Sequence, residues 1–179
     1  MGMVINPFVF YTSGPGIAYS ETLDSNQGGY SAFNVRNIIG NAVLLKSGDE
    51  IRATIEAGST EGLNLDSVYI GHKATSGNLY DFDGNQVELL FSGTSGVSIS
   101  TGSESTSDYA TFSYDNTKDI VVSIGVSTGT NDTFRSKNNP TSAAVRYASN
   151  SSSKAGDTTP SGTYFDASVL FGVSKIEVK

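Results

Sequence analysis

Apolar residues recur at every second position in short stretches along most of the chain. The clearest stretch is 120–126, where Ile120, Val122, Ile124 and Val126 share one phase. Alternation with a period of two is typical of β-strands that bury one face. Turn-forming residues follow each stretch, so the strands are short. We predict strands at 5–11, 33–39, 49–57, 65–72, 87–91, 97–99, 110–114, 120–126, 143–148 and 164–178.

Two of these stretches carry a second signal. In 164–178 the apolar phase set by Val169 and Phe171 gives way to the phase of Ile176 and Val178, which predicts a β-bulge near Ser174. The region 31–45, which contains the predicted strand 33–39, would also place several apolar residues on one face if it were a helix. The Asn, Val and Ile content of that stretch favours a strand instead.

About ten short strands with little or no helix predict an all-β protein. A chain of 179 residues fits a single domain over 1–179. The expected architecture is an antiparallel β-sandwich, jelly-roll-like. An immunoglobulin-like sandwich stays open, although the chain has no Trp and no Cys pair. Three polar segments, 92–107, 127–142 and 149–162, are predicted to be long loops, and 149–162 is the expected partner surface.

Charge and composition exclude several classes of function. The 11 Lys and Arg residues are outnumbered by 18 Asp and Glu residues and form no cluster, so we expect no nucleic-acid binding. The absence of Cys excludes thiol chemistry. Apolar runs are far shorter than the roughly 20 residues of a membrane helix, so we expect no membrane partner. We see no signal peptide, which predicts synthesis in a cytoplasm.

The chain offers little for catalysis. His72 is the only histidine, and it shares the strand phase of Val68 and Ile70, so we expect a strand-end residue at the margin of the core. A G-x-S-x-G pattern occurs at Gly125–Gly129, but it ends a predicted strand and no predicted helix follows it. It lacks the strand–turn–helix context of a nucleophile elbow, which argues against a serine hydrolase. We therefore expect no enzymatic activity.

Acidic residues occur in pairs within predicted loops. Solvated turn residues are the favoured interpretation, because a glycosidase needs acids on buried positions that raise one pKa. The segment Asp81–Asn85 resembles half of a calcium loop, but it lacks a third acid before the Gly and a suitable Glu. We favour a hairpin turn there and expect no cofactor. The pairs are Glu21 with Asp24, Asp81 with Asp83, and Glu104 with Asp108.

Aromatic residues are the remaining candidate for binding. Tyr147 and Tyr164, with Asn150 in the long loop between them, are candidate glycan-binding residues, since sugars pack on flat aromatic rings flanked by amides. The alternative is that both tyrosines pack at the rim of the sandwich, as aromatic strand residues commonly do. The absence of Trp favours that alternative.

Residues 65–127 carry a set of short motifs in a fixed order. The run Asp66–His72 is followed by Tyr80–Gly84, Val87–Gly93, Ile99–Asp108 and Asp119–Gly125. In this order they resemble the β-sandwich module that recurs in tailed-bacteriophage virion proteins and beside SGNH-type esterase domains. None of the matching positions is catalytic in that module, and the esterase's Gly-Asp-Ser block is not found here.

The resemblance implies a virion structural protein, such as a capsid decoration, head fibre or tail-associated protein. Its expected partners are other virion proteins and further copies of itself, and its expected location is the virion after synthesis in the host cytoplasm. A carbohydrate- or receptor-binding module, such as an adhesin, is the alternative for a chain of this composition.

Overall fold

The computed structural model describes residues 15–179, so the strand predicted at 5–11 lies outside the described residues. The described chain is all-β, as predicted, with two 3₁₀ turns at Asn41–Val43 and Ser152–Lys154. It contains fifteen strands rather than about ten, because several short segments also pair. The strands are β1 (Gly16–Ser20), β2 (Ser25–Gln27), β3 (Asn34–Ile39), β4 (Gly48–Glu56), β5 (Leu63–His72), β6 (Val87–Glu88), β7 (Val97–Ile99), β8 (Glu104–Thr106), β9 (Ala110–Tyr114), β10 (Ile120–Val126), β11 (Phe134–Asn138), β12 (Ala143–Ala148), β13 (Phe165–Ala167), β14 (Val169–Phe171) and β15 (Val173–Val178).

The strands form three antiparallel sheets. The seven-stranded sheet has the order β13-β12-β3-β10-β5-β6, with β7 also paired to β5. The five-stranded sheet has the order β1-β15-β4-β8, with β9 also paired to β4. A three-stranded sheet, β14-β11-β2, completes the set. The two larger sheets place strands distant in sequence side by side, as a sandwich requires.

The main core lies on one face of the seven-stranded sheet, which we call the inner face. Ile120, Val122 and Ile124 of β10 project there and are fully buried with Ile51 and Ile55 of the five-stranded sheet. Every second residue of β4 (from Ile51 to Ile55) and of β10 enters this core, which is the physical origin of the period of two in the sequence.

The outer face of the same sheet is also covered. Residues 73–86 and 149–164, which we call the outer layer, pack on it and bury Ile38 and Val121 against Phe82. All six residues of β3 and all seven of β10 are buried. The interpretation of 33–39 and 120–126 as half-buried strands is therefore wrong, because both of their faces are enclosed.

Two of the three predicted long loops contain strands. Segment 92–107 includes β7, which confirms the strand predicted at 97–99, and also β8, which was not predicted. Segment 127–142 includes β11, which was not predicted. β8 and β11 carry no alternation of apolar side chains, because their pairing depends on backbone hydrogen bonds with distant strands. Segment 149–162 has no strand, but Ser151 and Ala155 are buried, so part of it belongs to the fold.

The C-terminal stretch 164–178 is divided among all three sheets as β13, β14 and β15. Gly172 separates the last two strands at a φ of 71° and lies so close to Phe134 that a Cβ atom would be 2.8 Å from its ring. The predicted bulge is confirmed, since the register of β15 against β4 shifts between Val173 and Lys175. In 31–45 the strand is confirmed as β3, followed by the 3₁₀ turn at Asn41–Val43.

Candidate functional site

The outer layer is held by an arginine inside the protein. Arg36 lies in the middle of β3, points to the outer face and has no exposed surface. Its Nη1 donates to the carbonyl of Tyr80 at 2.8 Å, and its Nη2 donates to the carbonyls of Asp157 at 2.6 Å and Lys154 at 3.1 Å. The guanidinium also lies over the ring of Phe82, 4.7 Å from its centroid. One side chain thus joins both segments of the outer layer to the central sheet.

The charge of Arg36 is balanced indirectly. Burial lowers the pKa of the guanidinium, while Tyr164, Asp81 and Asp157 act in the opposite direction. Its hydrogen bonds go mainly to backbone carbonyls, which satisfy an arginine's fixed fork of donors without a bonded carboxylate. The arrangement is a brace: its donors are occupied and turned away from solvent.

Tyr164 belongs to this brace. Its hydroxyl donates to Oδ1 of Asn34 at 2.6 Å, the same oxygen that accepts from Nε of Arg36 at 3.2 Å. Its ring stacks on Tyr80 with the centroids 4.5 Å apart. Burial raises the pKa of the Tyr164 hydroxyl to about 12.

Tyr147 and Asn150 lie elsewhere. Tyr147 pairs with Val35 in the sheet, so its side chain is on the inner face. There the centroid of its ring lies 5.7 Å from that of Tyr30 and 6.1 Å from that of Phe33. Asn150 is exposed, in a turn with a φ of 50°. The structure therefore does not bring Tyr147 and Tyr164 together in one platform, because they occupy opposite faces of the sheet. A ligand-binding role for any of the three residues stays a prediction.

His72 ends β5 at the margin of the core, where its strand phase placed it. Its Nε2 accepts from the backbone N–H of Asp115 at 3.0 Å, and its Nδ1 lies 2.9 Å from Nδ2 of Asn85. The ring packs between apolar neighbours, with the centroid of Phe112 at 4.9 Å. Burial lowers its pKa, and the nearby carboxylate of Asp83 opposes that effect. Both ring nitrogens are engaged in contacts that fix the loops at this end of the sandwich.

The predicted hairpin turn lies earlier than the segment Asp81–Asn85. Phe82 bridges to Lys73 and the N–H of Asp83 donates to the carbonyl of His72, so the turn is at 74–81 and the segment belongs to the returning arm. The backbone N–H of Asn85 donates to Oδ1 of Asp83 at 3.1 Å, and the N–H of Asn78 donates to Oδ2 of Asp81 at 2.9 Å. The carboxylate of Asp81 stabilises the turn at 74–81, and the carboxylate of Asp83 stabilises the bend at 83–85. Within residues 15–179 no group of three or more acidic, His or Cys side chains is arranged to hold a metal ion.

Asp24 and Asp108, from the other two acidic pairs, each make a structural contact of their own. Asp24 forms an ion pair with Lys137 at 2.6 Å, and this hydrogen bond lowers the pKa of Asp24. Asp108 accepts from the backbone N–H of Gly93 at 2.7 Å. Each of these two carboxylates holds a loop or pairs with a cation of a neighbouring strand.

The outer surface of β12 carries two shallow depressions that the sequence did not indicate. Their volumes are about 470 and 280 Å³, and both include Ala143, Ala144 and Arg146 in their walls. Arg146 forms an ion pair with Asp166 beside the larger one. No helix in the described part of the chain is long and apolar enough to span a membrane.

Comparison with known proteins adds no relative: no protein-family model matches the sequence, and no curated protein matches it. The likeness of residues 65–127 to the phage module thus stays a prediction. The signal for Arg36 was present in the sequence as a lone charge between Val35 and Asn37 in a predicted strand. It could not be interpreted, because nothing in the sequence indicated that the outer face is covered.

Proposed function

We propose that this chain is a non-enzymatic structural protein of a virion, such as a bacteriophage capsid decoration, head fibre or tail-associated protein. It acts through protein–protein contacts made by its surface. Its partners are other virion proteins and further copies of itself, and it requires no cofactor.

The observation that supports this proposal best is the use made of the polar side chains with reactive groups. The guanidinium of Arg36 is bonded to backbone carbonyls, both ring nitrogens of His72 are engaged, and Asp83 stabilises a turn. Catalysis requires a nucleophile, an acid or a base that faces a bound substrate. Here these groups brace loops against strands, which suits a rigid building block.

A second support comes from the outer face of the five-stranded sheet, which is solvated and charged. Arg52 pairs with Glu177 at 3.0 Å, and Lys179 pairs with Glu50 at 2.9 Å. Both cations also lie over the ring of Tyr109, at 4.5 and 4.4 Å. Long side chains held in this way offer a pre-ordered polar surface, which reduces the entropic cost of docking.

Chemical cross-linking of the native assembly, followed by mass spectrometry, tests this proposal. We expect cross-links from this chain to a repeated set of neighbours in a particle, at a fixed ratio of copies. Recovery of the chain free of any particle, or turnover of a hydrolase substrate by the purified protein, would contradict it. Turnover that survives His72→Ala would further exclude a mechanism based on that histidine.

Carbohydrate or receptor binding is the alternative function. The depression beside Arg146 and Asp166 favours it, because a planar charged pair can bond to sugar hydroxyls. Glycan-array binding by the intact protein that Arg146→Ala abolishes would support this alternative. An array without any binding would exclude it for the glycans present.

A further inference from the structure

A polar depression lies between the two segments of the outer layer, and we call it the hairpin depression. Its volume is about 440 Å³, and its walls come from the hairpin at 73–86 and from Thr159 of the other segment. The two segments meet beside it, because the N–H of Phe82 donates to the carbonyl of Thr158 at 2.9 Å. The wall residues with oxygen atoms in their side chains are Thr75, Ser76, Asp81, Asp83 and Thr159.

Asp81 brings a buried carboxylate to the hairpin depression. The residue is only 3% exposed. Its Oδ2 accepts from the N–H of Asn78 at 2.9 Å, whereas its Oδ1 has no hydrogen-bond partner within residues 15–179. The hairpin backbone closes on this carboxylate, since a Cβ atom on Gly77 would lie 2.7 Å from Oδ2. A buried carboxylate oxygen without a donor is costly, so this group calls for a further partner.

The neighbouring cations do not supply that partner. Arg36 and Asp81 attract each other at a distance, and this attraction raises the pKa of the guanidinium. The N–H groups of Arg36, however, donate to the carbonyls of Tyr80 and Asp157 and to Oδ1 of Asn34. Lys73, on the other arm of the hairpin, forms an ion pair with Asp119 at 2.9 Å. The free oxygen of Asp81 is therefore left for a ligand from outside the chain.

Asp83 adds a second carboxylate to the hairpin depression. It lies two positions after Asp81 on an extended arm, so the two side chains share one side of that arm, while Phe82 packs on the sheet. Its Oδ1 accepts from the N–H of Asn85, and its Oδ2 lies 3.9 Å from Nδ1 of His72. Because an ionised carboxylate has about four acceptor positions, lone pairs remain for a ligand. Two carboxylates together balance the charge of one divalent cation.

Calcium is the divalent cation that suits this set of oxygen atoms. It takes about six to eight oxygen ligands in a flexible geometry, including neutral carbonyl groups and water, whereas Mg²⁺ demands a nearly ideal octahedron. The pattern Asp81–Asn85 is short of acids for a calcium loop, but the structure adds neutral oxygen atoms from 74–77 and from Thr159. Local sequence could not show the contribution of Thr159, which lies more than 70 positions away. The net charge of −7 also attracts cations to the chain.

We propose that the hairpin depression binds one calcium ion through the carboxylates of Asp81 and Asp83, with neutral oxygen atoms of 74–77 and Thr159 and water as the other ligands. The ion joins the two segments of the outer layer at a second point, in addition to Arg36. It is a structural ion, and the proposed assembly function does not depend on it.

Titration calorimetry with CaCl₂ tests this site, using full-length protein first freed of metal by a chelator. One ion per chain is expected to bind, with a dissociation constant on the order of 10⁻⁴ M. Asp81→Asn and Asp83→Asn each remove one negative charge and keep an oxygen atom, and each should raise that constant at least about tenfold. Asp166→Asn is the matched control, since it removes the same charge from β13, outside the hairpin depression, and should leave the constant unchanged.

Thermal unfolding gives a second readout. With calcium at about 100 times the dissociation constant, the Tm of the wild type should rise by roughly 5–10 °C. Asp83→Asn should lose this rise, and Asp83 is exposed, so its variant should fold even if Asp81→Asn does not. MgCl₂ at the same concentration should raise the Tm less than CaCl₂ does.

The other outcomes overturn the inference. A wild type with neither calcium binding nor a thermal shift contradicts it directly. Binding that both Asp81→Asn and Asp83→Asn retain places the ion elsewhere on the chain. An equal loss of binding in Asp166→Asn would reduce it to a general attraction between calcium and a negative protein, and an equal effect of MgCl₂ would contradict the choice of calcium. The cross-linking experiment judges the proposed function separately.

Discussion

The inner and outer faces of the seven-stranded sheet are built by different means. On the inner face, Val122 and Ile124 of β10 pack in an apolar core that the opposing sheet shares. On the outer face, Arg36 and Tyr164 connect the outer layer to the sheet by hydrogen bonds at defined distances. Apolar packing is tolerant of shape and has no direction, whereas each polar contact depends on one partner. The outer layer should therefore depend on fewer residues than the core does.

The largest effect is expected for Arg36→Ala. It removes the fully buried guanidinium, leaves the carbonyls of Tyr80 and Asp157 without this donor and opens a cavity, so we expect the free energy of unfolding to fall by about 3–5 kcal/mol. Chemical denaturation measures this. Arg146→Ala is the control: Arg146 lies on the outer surface of β12, is partly exposed and pairs with the exposed Asp166, so its loss should cost about 0–1 kcal/mol. A loss below about 1 kcal/mol for Arg36→Ala would show that the brace contributes little.

The next effect tests the inner face. Ile124→Ala removes buried methyl groups from the core and should cost about 2–4 kcal/mol. The loss should be global, since the core joins all three sheets, whereas Arg36→Ala should first expose the outer layer to limited proteolysis. If both variants give the same cleavage sites at 149–164, the two faces do not differ in the way described.

The prediction from the sequence succeeded where side chains alternate and failed where they do not. Strands β4, β9 and β10 and the bulge near Ser174 follow from apolar phase alone. The unpredicted short strands β8 and β11 depend on backbone pairing with distant partners, which a local pattern does not contain. The brace around Arg36 unites residues more than 100 positions apart, so only the three-dimensional structure reveals it.

A smaller effect on stability should distinguish Tyr164 from Tyr147, which the sequence analysis placed together as candidate glycan-binding residues. Tyr164→Phe removes a donor to Asn34 and should cost about 1 kcal/mol. Tyr147→Phe is the matched change on the inner face, where the ring contacts aromatic neighbours, and should be close to neutral. Thermal or chemical denaturation of both variants measures the difference. Equal effects would mean that the hydroxyl of Tyr164 adds nothing to the brace.

The smallest effect concerns pH. Burial lowers the pKa of His72, so between its folded-state value and about 6.5 the unfolded chain binds a proton that the folded chain does not. The free energy of unfolding should consequently fall as the pH falls through that window, and the stability is fully present above it. His72→Gln should remove this part of the slope, leaving the titration of the carboxylates at lower pH. A slope unchanged in His72→Gln would assign it to other groups.

The central claim is that the outer layer is a braced part of the fold rather than a set of loops. Native-state hydrogen exchange tests this claim most directly. The amide of Phe82, which donates to Thr158 at 2.9 Å, reports on the outer layer, and the amides of β10 report on the sheet. In the wild type we expect both to exchange slowly, and in Arg36→Ala we expect Phe82 to lose protection before β10 does. Fast exchange of Phe82 in the wild type, at the rate of an open loop, would contradict the account.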